Sequence, residues 1–288
     1  MPYIPGAALG GRRVDLGSAA FGAVDGAGVA WHILGMDGWD GPDQQAEYTA
    51  READHGAWAS PVYLRQRPIT LTGKLEAPSL ALLDTAIEQL IEASSLEDTI
   101  LTVYESTPKQ ATVRRSGPTL VRPITDRIAE YSVLVTAADP RRYSTILQSQ
   151  SAALPSATGG LTLPLTLPLT ITAATASGTI TLVNEGSFAT RPILSVTGPC
   201  TGGFTIGATR PDGTSTLQTY SDDLGADDVL VLDSDARTAT LNDQVSRRRY
   251  LSGTWPEIPA RSSITFNWTC PNYSADALLS GTCRSAWM

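Results

Sequence analysis

The sequence predicts a mainly β chain in two domains: a β-sandwich-like N-terminal domain with one packed helix, then an all-β C-terminal sandwich or jelly roll. Three observations carry this expectation. Apolar residues recur at every second position in short segments along most of the chain, which is the pattern of half-buried strands. A single stretch keeps the three- and four-residue spacing of an amphipathic helix. Gly and Pro, 25 and 19 of 288 residues, separate the segments as turn formers do.

Residues 1–146 form the first domain in this reading. Strands are expected near Val29–Leu34, Ile69–Leu75, Ile100–Tyr104, Ala111–Arg114, Leu120–Ile124 and Ile128–Val135. Ser132 to Thr136 is dense in β-branched and apolar residues, as suits a strand packed into a core. The helix follows Pro78: Leu80, Leu83, Ile87, Leu90 and Ile91 share a face, Ser79 is the N-cap, and Glu88 and Glu92 lie opposite. Its apolar side is expected to cover a sheet. From Asp37 to Pro61 runs a long polar stretch with two tryptophans and little periodicity. A loop of that length in a compact domain is usually functional or held by a partner.

Residues 147–178 read as a Pro/Thr-rich joint, with Pro164 and Pro168 in a Leu-Thr-Leu-Pro near-repeat that excludes a central strand. The second domain, 179–288, has short strands expected at Thr179–Val183, Ile193–Val196, Phe204–Ile206, Thr216–Tyr220, Val229–Leu232, Thr238–Leu241 and Ser263–Trp268. The Val229 and Thr238 segments pair as a hairpin across the Ser234-Asp-Ala turn.

Charge and motifs exclude more than they identify. Net charge is −8, with 13 basic against 18 acidic residues in 1–150 and 8 against 11 after it. Nucleic-acid binding needs clustered cations, and the one basic triplet, Arg247-Arg248-Arg249, stands in acidic surroundings. No run of apolar residues is long enough to span a membrane as a helix, and Met1–Pro5 opens without the basic and apolar regions of a signal peptide. Cys200, Cys270 and Cys283 are odd in number and spaced unlike a zinc site, so free thiols in a reducing compartment are expected. His32 and His55 form no His-x-x-x-His pair. A nucleophile elbow and a phosphate-binding Gly-Lys loop are also absent. Asp37, Asp40 and Asp43 lack the closing acid of a calcium loop. No catalytic, cofactor or metal residue is therefore assigned.

The order of weak motifs is more telling than any one of them. Asn184-Glu-Gly186, Arg191-Pro-Ile-Leu-Ser-Val196, Gly198, Val229-Leu-Val-Leu-Asp233, Arg237-Thr-Ala-Thr-Leu-Asn242, Leu251-Ser-Gly253, Trp255-Pro-Glu-Ile-Pro259 and Ser263-Ile-Thr-Phe266 follow one another in the second domain. Arg67-Pro-Ile-Thr-Leu-Thr-Gly73 precedes them in the first. This series resembles the distal tail protein family of long-tailed, non-contractile phages, also known as phage tail family or minor tail proteins. The Ala260-Arg261 turn departs from the Pro-Gly type expected there.

The resemblance implies a virion protein of the tail tip, assembled in the bacterial cytoplasm and not an enzyme. Its first domains would build a ring, usually of six, joining the tail tube protein to the tail-tip hub protein. DNA would pass through the channel without specific binding. Galectin-like second domains would face outward, in some cases carrying receptor-binding proteins. A ring needs unlike patches to meet between copies, and Trp39, Asp40, Trp58 and Tyr63 are the expected subunit-interface residues. A carbohydrate-binding adhesin module is the alternative, with Tyr220, Tyr250, Trp255, Trp268 and Tyr273 as candidate stacking residues. A glycoside hydrolase or esterase is the third reading.

Overall fold

The computed structural model describes residues 12–158, 174–176 and 178–288. The opening Met1–Pro5 and the Leu-Thr-Leu-Pro repeat fall outside them. The chain divides into two compact units, one ending at Thr145 and the other spanning Ile146–Trp287.

The first unit is built on an antiparallel sheet. Its strands run, side by side, Ala19–Phe21, Val14–Leu16, Thr99–Val103, Lys109–Arg115, Ile128–Ala137, Arg67–Glu76, Ala30–Asp37 and Ala23–Val24. The two long central strands pair from Ile128↔Glu76 to Ala137↔Arg67. Alternation fixes which side is buried: Ile69, Leu71 and Leu75 from one strand, Ala129, Tyr131, Val133 and Val135 from the other.

The helix Leu80–Ala93 lies in the same core, with Ser79 accepting a hydrogen bond from the Leu82 N–H at 3.4 Å. Its buried stripe is Leu83, Ala86, Leu90 and Ala93, while Leu80 and Ile91 are exposed. The expected face was therefore rotated: small alanines, not the larger end residues, take the positions nearest the sheet.

Gly73 shows why the Arg67–Gly73 motif ends as it does. Tyr131 crosses over it to donate to the His32 carbonyl at 2.8 Å. A Cβ at Gly73 would sit 2.0 Å from that carbonyl oxygen and 2.3 Å from the Tyr131 hydroxyl. No larger residue fits beneath the bond.

The second unit is a two-sheet sandwich. One sheet runs Gln148–Ala153, Leu278–Cys283, Ile193–Thr197, Val229–Asp233, Thr238–Leu241 and Val245–Ser246. The other runs Thr179–Asn184, Ser262–Thr269, Phe204–Thr209, Ser215–Tyr220 and Leu251–Gly253. Leu194, Val196, Leu230, Leu232 and Leu279 from the first meet Ile180, Leu182, Ile264, Phe266 and Trp268 from the second in one core. Gly281 lets the sheets approach, since its Cβ would lie 2.5 Å from Ile180 Cδ1.

Residues 148–153, read from sequence as part of the joint, pair along their whole length with Leu278–Cys283. A further ladder joins Ser156–Thr158 to Ala174–Ala176. Ladder hydrogen bonds hold Gln148–Ala153 as an edge strand without the apolar alternation that would have announced it.

Two motif positions are structural. Asn184 is fully buried; its amide nitrogen donates to the carbonyls of Phe188, Ile258 and Pro259 at 2.7, 3.3 and 3.0 Å. Its amide oxygen accepts from the Gly186 and Ala286 N–H groups at 3.0 and 3.1 Å. Every bonding position of a buried amide is thus used. At the Ala260-Arg261 turn, Arg261 takes φ +50°, so the backbone keeps the left-handed shape glycine normally supplies.

Candidate functional site

The polar stretch after Asp37 is a β arm whose base is built into the first unit. Gly38 has φ +86°, and a Cβ there would lie 2.0 Å from the Pro68 carbonyl oxygen, so only glycine turns the chain so close to the neighbouring strand. Trp39 follows, fully buried in the core. Its indole N–H donates to Glu105 Oε1 at 2.8 Å, and the Arg142 guanidinium stands over its ring, 5.3 Å from the centroid.

Arg67, at the returning end of the arm, is also fully buried. Its guanidinium donates to the carbonyls of Gly38 (3.2 Å), Trp39 and, from the other side, Pro140 (2.9 Å). One side chain thereby ties together both ends of the arm. Burial is the main reason its pKa falls to about 10, with the nearby Arg142 charge adding to the drop and Asp40 and Asp139 opposing it.

Glu105 balances this cationic base. Lys109 donates to it, and Arg12 and Arg142 lie 3.7 and 4.0 Å away. Burial pushes the Glu105 carboxyl upward, but the Lys109 and Trp39 donors and the neighbouring positive charges outweigh it, leaving the pKa below the usual carboxylate value. A group lowered on folding stabilises above its unfolded pKa and loses that effect as pH falls through the folded value. Glu105→Gln is expected to cost about 1–2 kcal/mol at pH 7. The difference in melting temperature from the parent should shrink as pH falls below the usual carboxylate range and through the lowered Glu105 value, as thermal unfolding across pH would show.

The arm itself is two short antiparallel ladders, Gln44–Gln45 with Tyr63–Leu64 and Tyr48–Ala50 with Ala57–Ala59. Between them, two residues on the outgoing side oppose three on the return. Pro61 lies in that bulge, where it has no ladder bond to break. Tyr48 faces Ala59 while Trp58 faces Thr49 in the adjacent pair, which puts the two rings on opposite sides of the ribbon. Tyr48, Trp58 and Tyr63 are 67%, 67% and 68% exposed. Arg51 stacks on Trp58 with its guanidinium carbon 4.5 Å from the ring centroid.

Of the four interface residues expected from sequence, Trp58 and Tyr63 are exposed on the arm, Asp40 is exposed at its base, and Trp39 is committed to its own core. Tyr48 is exposed on the arm as well; a lone tyrosine in a polar run gives no signal of its register. The five candidate sugar-stacking rings separate likewise. Tyr220 and Trp268 are core residues, Tyr250 and Trp255 are half-buried, and Tyr273 is exposed.

Arg247, Arg248 and Arg249 are engaged within their own unit. Arg248 stands over Trp255, both others over Tyr250, and Arg247 lies 3.4 Å from Asp222. His32 is exposed beside Glu76 at 3.3 Å, and His55 sits exposed near the arm tip. Among the described residues, no three metal-ligating side chains converge and no helix is long and apolar enough to cross a membrane.

No protein-family profile matches the chain, and no curated protein sequence matches it significantly. Solved structures do. The Dit protein of phage SPP1, described as a paradigm of the hub adsorption apparatus of phages infecting Gram-positive bacteria, superposes with a TM-score of 0.61 at 8% identity. The match covers 89% of this chain and 93% of that one, so both units share its fold. A chain of the phage P2 baseplate in its activated conformation with calcium aligns at 9% identity, TM-score 0.43, over 91% of this chain and 99% of that one.

Proposed function

We propose that this chain is a structural protein of a phage tail tip, assembling with copies of itself into a ring, six in number by the resemblance. The ring joins tail tube to tail-tip hub, DNA passes through its channel, and the second domains face outward. The observation that carries this reading is the fold shared with the SPP1 Dit protein across nearly the whole of both chains. Identity of 8% leaves no room for conserved surface chemistry to be assumed, so the rest is argued from this chain.

The arm supports self-association. A two-stranded ribbon is marginal alone in water, and this one exposes an aromatic on each side. Folding back against its own domain would cover one side only; lying between neighbours covers both. A net charge of −8 also suits a conduit from which DNA must slide freely.

The test is the mass of the purified chain over a range of concentrations, together with its detection in intact particles. A closed ring of uniform mass, and presence in virions, is the expected result. A chain that stays at monomer mass throughout and is missing from particles overturns the reading.

A further inference from the structure

We infer that Cys200 and Cys270 form an intramolecular disulfide when the protein meets an oxidant, making this pair a covalent modification site in the second unit. The two residues are 70 positions apart, yet Cys270 Sγ lies 3.1 Å from Cys200 Sγ. A disulfide needs sulfurs about 2.05 Å apart, so the thiols must close by about 1 Å.

Both backbones are already held in place. Cys200 exchanges two hydrogen bonds with Leu224, at 3.0 and 3.1 Å. Cys270 directly follows the strand Ser262–Thr269, whose last residue pairs with Thr205. On the far side of the pair, the Asn272 amide donates to the Thr201 carbonyl at 3.0 Å. Closure is thus a matter of side-chain rotation between fixed segments.

Access favours Cys270 as the entry point, and acidity favours Cys200. Cys200 is buried but Cys270 is partly exposed, so an oxidant enters at Cys270. The thiol contact lowers the Cys200 pKa, because Cys270 donates to its sulfur, and that contact together with burial raises the pKa of Cys270. The reaction is thiol–disulfide exchange with a small disulfide such as oxidised glutathione. Buffer base removes one proton from the pair, and with the remaining proton on Cys200 the Cys270 thiolate attacks one glutathione sulfur, forming a mixed disulfide and expelling glutathione thiolate. Cys200 then attacks the Cys270 sulfur and expels the second glutathione, and the two cysteine protons end on the two glutathiones. Cys283 is a built-in control: it is buried, and its sulfur faces the Val183 carbonyl at 3.9 Å, not a second thiol.

The experiment incubates the full-length protein, freed of reductant, with oxidised glutathione. Mass, thiols titratable after denaturation, and thermal stability are then measured. A mass loss of two hydrogens is expected, with one thiol remaining and a peptide linking Cys200 to Cys270. The second unit should melt about 10 °C higher, reversibly with reductant. In Cys200→Ser the oxidant should instead stay attached to Cys270 as glutathione. Three titratable thiols after oxidation, a link to Cys283 or a link between chains would each overturn the assignment, and all three are read on the unmutated protein.

Discussion

Replacing Arg67 by Met is expected to lower the melting temperature of the first unit by about 10 °C, corresponding to about 3 kcal/mol. The guanidinium is buried and satisfies the carbonyls of Gly38, Trp39 and Pro140. Methionine matches its length but donates nothing, so all three acceptors lose their partner, the Trp39 carbonyl while buried and the other two while partly buried. An unsatisfied buried carbonyl costs about 1–3 kcal/mol, and burying an apolar side chain returns only part of the sum. Arg67→Lys should recover less than half of the loss, since one ammonium cannot span carbonyls from both sides. Calorimetry reads the stability, and amide exchange at Asp43–Arg65 reads the anchoring, because the arm base should loosen before the sheet does. If Arg67→Met melts within 2 °C of the parent, roughly half a kcal/mol, Arg67 does not hold the arm.

That effect could not have been read from the sequence. The strand Ile69–Leu75, which the Arg67–Gly73 motif leads into, was legible because Ile69, Leu71 and Leu75 fall at alternate positions. Nothing in the run says that the arginine heading it points inward. The helix was legible from its spacing, but its buried stripe was set by close approach to the sheet, which favours Ala86 and Ala93 over larger residues. Leu278–Cys283 was missed although it is paired on both sides. Gly281 reads as a turn in sequence, and only the opposing Ile180 and Leu194 explain its need. The Cys200–Cys270 contact joins residues 70 apart that share no local pattern. Alternation and turn residues thus reveal strands, while long-range packing decides which polar groups are buried and which aromatics are left outside.

The division between Trp39 and Trp58 yields the sharpest test of assembly. Trp58→Ala, alone and with Tyr48→Ala, is expected to weaken self-association without changing the melting of the isolated chain. Both rings are two-thirds exposed, and truncating an exposed side chain moves stability by about half a kcal/mol at most. An aromatic anchor buried at an interface is worth about 2 kcal/mol, roughly 30-fold in a dissociation constant. In a ring each copy gives an arm and receives one, so every interface bears the loss and closure fails far more steeply than a single contact would. Trp39→Ala acts differently: emptying a buried indole site costs about 3–5 kcal/mol and should unfold the first unit before assembly is tested. Sedimentation set against thermal melting separates the two. Should Trp58→Ala with Tyr48→Ala form rings at parental concentrations, the arm is not the joint between copies, even if the fold likeness to the SPP1 Dit protein still stands.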